Sequence, residues 1–325
     1  KDRKMKTLSE INEIVDKFKD FSTNAVFEMA DMLKVYLEYC KNIQGNKAKT
    51  GIGSIDEGLG GIRPGELCGF IGATNVGKTS FAMQSAKATS QMMFDRIIPV
   101  ICTEPTEIDM IERYLQIELD SNTYEVENIC KDITFDSEQG QSLYLRLKKY
   151  ENIIHVVKAL KENELIPYIK MLEEITGKKA GYFIIDHIQG MKSDLRGNRS
   201  EKLEWIIAET KQAVNTLKIP GMFVSHVARS EVKDKKELSI YSGKGSGEIE
   251  NSCQILFSID LAEEEPAGFD LSHELRTKDN PHGKYKLLSV TPLKKKRGSA
   301  EKTFLLQNAR TTELTEWNKK PLIDF

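Results

Sequence analysis

The 325-residue chain is short of the residues that staple or metallate a fold. Its five cysteines, Cys40, Cys68, Cys102, Cys130 and Cys253, are odd in number and far apart. They offer neither a disulfide framework nor the paired thiols of a zinc site. Three of them lie in apolar runs, which predicts reduced, buried thiols and a cytoplasmic setting. The five histidines are scattered as well, so no structural zinc is expected. No apolar run has the roughly 20 residues that a bilayer crossing needs, so no membrane partner is expected. Behind Lys1-Asp2-Arg3-Lys4 there is no apolar signal core. Net charge is nearly missing too, at -2. That balance does not exclude nucleic acid, because basic residues cluster late in the chain. An initiating Met is absent, which leads to the expectation of one domain of a longer protein. What remains, 39% hydrophobic residues, suffices for one large or two small cores.

Against this background one stretch stands out. Gly72-Ala73-Thr74-Asn75-Val76-Gly77-Lys78-Thr79 fits G-x-x-x-x-G-K-[ST], the phosphate-binding P-loop. The apolar run Leu67–Ile71 before it predicts a buried strand, and Ser80–Ala86 after it predicts a helix. Small residues let backbone N–H groups close around the α- and β-phosphates of ATP, and the helix end adds its dipole. Lys78 is expected to reach the β- and γ-phosphates, and the Thr79 hydroxyl to hold Mg2+.

From Thr7 to Cys40, apolar residues recur at helical spacing, among them Leu8, Ile11, Val15, Phe18, Val26, Met29, Leu33, Tyr36 and Leu37. Thr7 and Glu10 have the spacing of a capping box. Ser22-Thr23-Asn24 is expected to divide the segment into two helices. Their stripe must pack either on the chain's own core or on a neighbouring subunit. Gly45-Asn46-Lys47-Ala48-Lys49 is expected to be a flexible linker. The glycine-rich stretch Thr50–Glu66 then leads into the P-loop strand as a series of turns.

This lead-in, T-G-x-x-x-[IL]-D followed by G-G-[IL]-x-P-G-x-[LF], resembles that of DnaB-type replicative helicases of the phage or plasmid kind and their RecA-like relatives. Later segments carry the resemblance further. Ile97–Cys102 is predicted to be a second buried strand, with Glu104 just past its end. Ligands of open α/β sheets bind at that edge, so Glu104 should lie near the γ-phosphate and deprotonate the attacking water. A plain first-turn glutamate, favoured by a helix dipole, is the alternative. The family has its catalytic Glu at this strand end. Residues 105 to 178 should be mostly helical around a third strand, Ile153–Val157, with His155 in the core. The run Gly181–Asp186 is apolar and ends in an acid, so Asp186 should face Thr79 across the Mg2+ shell. With His187-Ile188-Gln189 it resembles the family's D-[YH]-[LI]-Q.

Gly221–His226 is predicted to be another buried strand, and Ser225, His226 and Arg229 resemble the family's S-[QH]-x-x-R. The resemblance implies that His226 senses the γ-phosphate and signals to DNA loops; a structural histidine at a strand end is the alternative. Lys192, Arg196 and Arg199 stand where the family has a loop facing the central channel; a solvated loop would look the same. Ser242–Glu250 resembles R-x-S-G-x-I-E, which implies DNA phosphate contacts from Lys244, Gly245, Ser246 and Gly247. A surface turn is the alternative there. Strands are expected over Ile255–Ile259, Lys284–Val290 and Lys302–Gln307. The turn Pro292–Ser299 between the last two resembles K-x-R-x-G. Lys295 and Arg297 fit that pattern, with the glycine one residue early. The family's Arg is a finger reaching a neighbour's ATP; a solvated basic turn is the alternative.

Together these readings predict an α/β fold: a RecA-like P-loop core (50–325) with a central mostly parallel sheet, preceded by a helical linker or subunit-docking segment (1–49). The resemblance implies a ring, expected to be hexameric, that uses ATP and Mg2+ to move on single-stranded DNA and unwind duplex. It further implies a primase or a loader as partner, in a bacterial cell or phage-infected host. Two rivals share the P-loop, the Glu and the Asp. One is a RecA- or KaiC-like ATPase in recombination or signalling; the other is a nucleotide-switched loader.

Overall fold

The computed structural model describes residues 28–226, 249, 251–262, 274–275 and 283–317. The chain divides into two compact units, 1–45 and 46–325. The first contains helix α1, Met29–Ile43. Its exposed residues Met29, Met32, Leu33, Tyr36 and Leu37 have the spacing of one helix face. The expected helix break at Ser22–Asn24 lies outside the described residues.

The second unit is built on a nine-stranded sheet among the described residues. Its strands are β1 Leu67–Gly72, β2 Ile98–Cys102, β3 Ile153–Val157, β4 Phe183–Asp186 and β5 Gly221–His226. They continue with β6 Ile255–Leu261, β7 Tyr285–Lys295, β8 Thr303–Asn308 and β9 Leu314–Glu316. The order across the sheet is β3-β2-β4-β5-β1-β6-β7-β8-β9. Pairs from β3 through β6 are parallel, and those from β6 to β9 are antiparallel. A mostly parallel sheet is therefore observed, as predicted.

The α-helices that accompany it among the described residues are α2 Gly53–Leu59, α3 Lys78–Met92, α4 Glu107–Glu118, α5 Thr123–Cys130, α6 Glu138–Leu147, α7 Leu165–Thr176 and α8 Arg199–Leu217. Both sheet faces are covered. Phe70, Ile184, Val224 and Phe257 pack with Phe81 and Ala82 of α3 in one core. Ile71, Phe183, Ile185 and Phe223 pack with Ile169 of α7 and Ile206, Ile207 and Val214 of α8 in another. Burial on two faces is why the parallel strands read as unbroken apolar runs rather than alternating ones. Among the described residues no helix is long and apolar enough to cross a membrane.

Four features differ from expectation. Part of the lead-in is a helix, α2, not only turns. The Asp56 carboxylate accepts from the Thr50 and Gly51 amides at 2.8 and 3.1 Å, and Gly60 ends the helix in the left-handed region, φ 67°. The linker is anchored at its end: Ala48 exchanges two backbone hydrogen bonds with Ile62 and is fully buried. Strand β7 runs on to Lys295, past a register shift at Leu256/Phe257 that lets Pro292 sit in the ladder. The basic run thus starts inside the strand. Finally, β9 had no counterpart in the sequence pattern.

Candidate nucleotide site at the carboxyl edge of the sheet

The ends of β1, β2, β4, β5 and β6 meet at one edge. Chain reversal after β1 requires left-handed backbone at Asn75 (φ 66°) and Gly77 (φ 80°), and Gly77 is also the N-cap of α3. A Cβ on Gly72 would come within 2.3 Å of the Ile259 carbonyl oxygen, so the loop can leave the sheet here only with glycine. Thr74 and Asn75 are exposed, and Ala73 is half-buried. Val76 is buried in the core. Ser80 is buried and accepts from Gln307 Nε2 at 3.0 Å. Lys78 opens α3, buried, with its ammonium on the Ala73 carbonyl.

Opposite the loop, the Thr79 hydroxyl donates to Asp186 Oδ1 at 3.4 Å. Asp186 is 1% exposed, and its Oδ2 has no hydrogen-bond partner among the described residues. A buried carboxylate oxygen without a donor, beside a threonine hydroxyl, is the hard-oxygen set a Mg2+ ion takes. The residues present therefore fit that ion. Thr103 ties the ends of β2 and β4 together, its hydroxyl donating to the Asp186 and His187 carbonyls at 3.0 and 2.7 Å. Glu104, the next residue, stays half exposed, with Oε2 3.6 Å from His187 Nε2.

The imidazoles of His187 and His226 stack with centroids 4.3 Å apart and planes 15° from parallel. Gln189 clasps the end of β5: Nε2 donates to the His226 carbonyl at 2.8 Å, and Oε1 accepts from the His226 amide at 3.2 Å. Gln189 Nε2 also reaches the Ser225 hydroxyl. Burial lowers the His226 pKa to about 4, helped by the charge of Lys78, and lowers that of His187 against the pull of Glu104. Both rings are thus neutral at physiological pH, as a close stack requires.

Burial also dominates the charged groups. It pushes Asp186 up to about 6, with the Thr79 hydrogen bond and the Arg113 charge opposing. It draws Lys78 down to about 8, against Asp186, Glu104 and Asp260. Asp260 is itself raised to about 6. A lysine whose ammonium is strained by desolvation gains most from an arriving polyphosphate.

Lys78, Thr79, Asp186, Glu104 and His226 are therefore brought together as expected. Three neighbours were missed. Asp260 follows an apolar run, Ile255–Ile259, much as Asp186 does, a signal that was available. His187 was visible only as part of a motif, and Arg113 of α4 carries no motif at all. Lys192, Arg196 and Arg199 are exposed on one polar stretch, and Arg199 is near enough to His226 to help lower its pKa. Lys244, Gly245, Ser246, Gly247 and Arg229 lie outside the described residues. Lys295 and Arg297 are not at this edge. Arg297 binds Glu66, the residue before β1, so the six-residue strand, about 20 Å long, separates it from the P-loop of its own chain.

Residues 48–313 match the family described as the DnaB-like helicase C terminal domain. The chain is 24% identical over 242 residues to the replicative DNA helicase DnaB of Rickettsia conorii, covering 69% of this chain and 48% of that one. It thus spans about half the length of this curated relative. Among solved structures it is similar to one described as an ATPase domain, with TM-score 0.70 and 18% identity, over 89% of this chain and 99% of that one. It is similar also to a DnaB-like replicative helicase described with its interactions with primase, with TM-score 0.70 and 17% identity, over 94% and 71%. At these identities the two structures establish the fold, a RecA-like core.

Proposed function

Since this chain belongs to the DnaB-like helicase C-terminal domain family, we propose that it is an ATP-hydrolysing motor that moves along single-stranded DNA and unwinds duplex as a ring. The observation that carries this reading is the convergence of Lys78, Thr79, Asp186 and Glu104 on one sheet edge, beside a strand end clasped by Gln189.

The chemistry follows from those positions. On ATP binding, the Lys78 ammonium exchanges the Ala73 carbonyl for β- and γ-phosphate oxygens, assisted by P-loop amides from 72 to 80. Thr79 and Asp186 would hold Mg2+, which would neutralise charge on the phosphates. Glu104 takes a proton from the water that attacks the γ-phosphorus, while the bond from that phosphorus to the β-bridging oxygen breaks and ADP leaves. His226 stands at the next strand end and senses whether the γ-phosphate is present. Gln189 and His187 pass that state to the stretch bearing Lys192, Arg196 and Arg199, which contacts DNA together with Lys244, Gly245, Ser246 and Gly247. Contacts to phosphate are blind to sequence, which suits a motor that must step over any base.

The basic turn with Lys295 and Arg297 lies at the far end of β1 from its own P-loop. A cation that this turn offers outward can therefore complete only a neighbour's pocket, and hydrolysis then depends on a homo-oligomer, a hexamer in this proposal. A primase or a loader is the protein partner we propose, in the cytoplasm. Strand displacement tests the reading: with ATP and Mg2+ the protein should release the labelled strand of a forked duplex, and Lys78→Ala should not. Hydrolysis without displacement would favour a recombination-type ATPase instead.

A further inference from the structure

Lys294, Lys295, Lys296 and Arg297 are consecutive, and the fold treats them differently. Arg297 turns inward. Its Nε and Nη2 donate to Glu66 Oε1 and Oε2 at 3.1 and 2.8 Å, Nη2 donates again to the Gly61 carbonyl at 2.6 Å, and Nη1 donates to the Leu59 carbonyl. All three guanidinium nitrogens are engaged, and the side chain is only 19% exposed. Glu66 Oε2 is held further by the Arg63 amide at 2.9 Å.

The backbone repeats the attachment. The Ser299 amide donates to the Gly58 carbonyl at 3.0 Å. A Cβ on Gly298 would lie 2.2 Å from that same oxygen. The Lys296 amide donates to the Gln254 carbonyl at 3.0 Å. Swinging Arg297 outward would break a bidentate ion pair and two further bonds, leaving the Glu66 carboxylate, 12% exposed, without its cation. Arg297 is a fixture of its own subunit.

Lys295 and Lys296 are not held this way. Lys295 is exposed and spends its ammonium on one bond, to the Ala300 carbonyl at 2.7 Å. Lys296 is exposed, and its side chain makes no hydrogen bond among the described residues. Counted back from Gly298, Lys296 stands where K-x-R-x-G has its Arg, with a lysine in place of the arginine.

We infer that Arg297 is a positioning residue that fastens the turn to the loop before β1, and that Lys296 is the cation this turn offers to a neighbouring subunit's nucleotide. This rests on the shared-pocket reading above. An ammonium on a flexible stem suits a phosphate oxygen as a point charge with three donors.

Variants of the full chain test it, with Mg2+-ATP, poly(dT) and thermal melts. Lys296→Ala should keep the parent Tm within about 1 °C and lose hydrolysis roughly tenfold to a hundredfold. Mixing it with Lys78→Ala subunits should restore part of the loss. Arg297→Ala and Glu66→Ala should each lower the Tm by about 5 °C. Each should also lower kcat at 15 °C several-fold with KM for ATP within twofold, and the double variant should be no worse than either single one. Glu66→Gln serves if either alanine variant fails to fold. The inference is overturned if Lys296→Ala hydrolyses at the parent rate while Arg297→Ala does not. It is equally overturned if Glu66→Ala matches the parent while Arg297→Ala is inactive, since releasing a finger should not harm it. If none of the variants changes hydrolysis, the shared-pocket reading fails and takes the inference with it.

Discussion

Gln189 holds both backbone hydrogen-bonding groups of His226, accepting from its amide at 3.2 Å and donating to its carbonyl at 2.8 Å. A residue just past the acid-tipped strand thus fixes the end of the neighbouring strand and ties β4 to β5 at the nucleotide edge. Gln189→Ala removes these bonds and leaves part-buried groups unpaired, a cost of roughly 1–3 kcal/mol. Basal hydrolysis should stay within about threefold of the parent, because no phosphate contact is lost, while stimulation by poly(dT) should vanish. ATPase assays with and without poly(dT) check this. Full stimulation in the variant would remove Gln189 from the relay.

Lys78 predicts a proton signature. Its ammonium is lowered to about 8 by burial, so at pH 8 about half of the free protein has a neutral amine there. Phosphate favours the charged form, so binding should take up roughly half a proton at pH 8 and almost none at pH 6.5, where the amine is already charged. Calorimetry in buffers of different ionisation enthalpy reads this directly. An uptake that persists in Lys78→Ala would assign it to another group.

Asp186 should be a liability until metal arrives. Its folded pKa, about 6, lies above the ordinary 3.8, so the folded state binds the proton more tightly than the unfolded one. Stability from this group is therefore present at low pH and lost as pH rises from about 4 to about 6, by roughly 3 kcal/mol. Asp186→Asn should raise the Tm of the nucleotide-free protein at pH 7.5 by about 5 °C or more, leave it unchanged near pH 4, and abolish hydrolysis. A lower Tm at pH 7.5 would contradict the burial argument.

Glu104→Gln keeps the shape of the side chain and loses the base. Hydrolysis should fall about 100- to 10,000-fold while ATP affinity changes little. Equal losses in binding and turnover would make Glu104 a binding residue instead.

Which parts of this were legible beforehand follows from how local each determinant is. Asp186 and His226 end apolar runs that are buried on both faces, and Lys78 and Thr79 belong to a loop whose geometry is written in Gly72 and Gly77. Such features show in a few consecutive residues. Helix α2 was hidden by Gly53 and Gly58, because what holds it is the Asp56 carboxylate closing back on Thr50 and Gly51. The destination of Arg297 was hidden by distance: its partner Glu66 is 231 residues away in the chain. Arg113 was hidden because a basic residue on a helix face has no distinguishing neighbours, and only the fold brings its charge to Asp186.

The central claim is that adjoining copies share each nucleotide pocket and couple it to DNA. ATP turnover per subunit across a dilution series, with and without poly(dT), tests it most directly. Turnover should fall steeply as copies separate and should rise severalfold with poly(dT) while they remain together. A rate per subunit that is constant on dilution and indifferent to poly(dT) would contradict it.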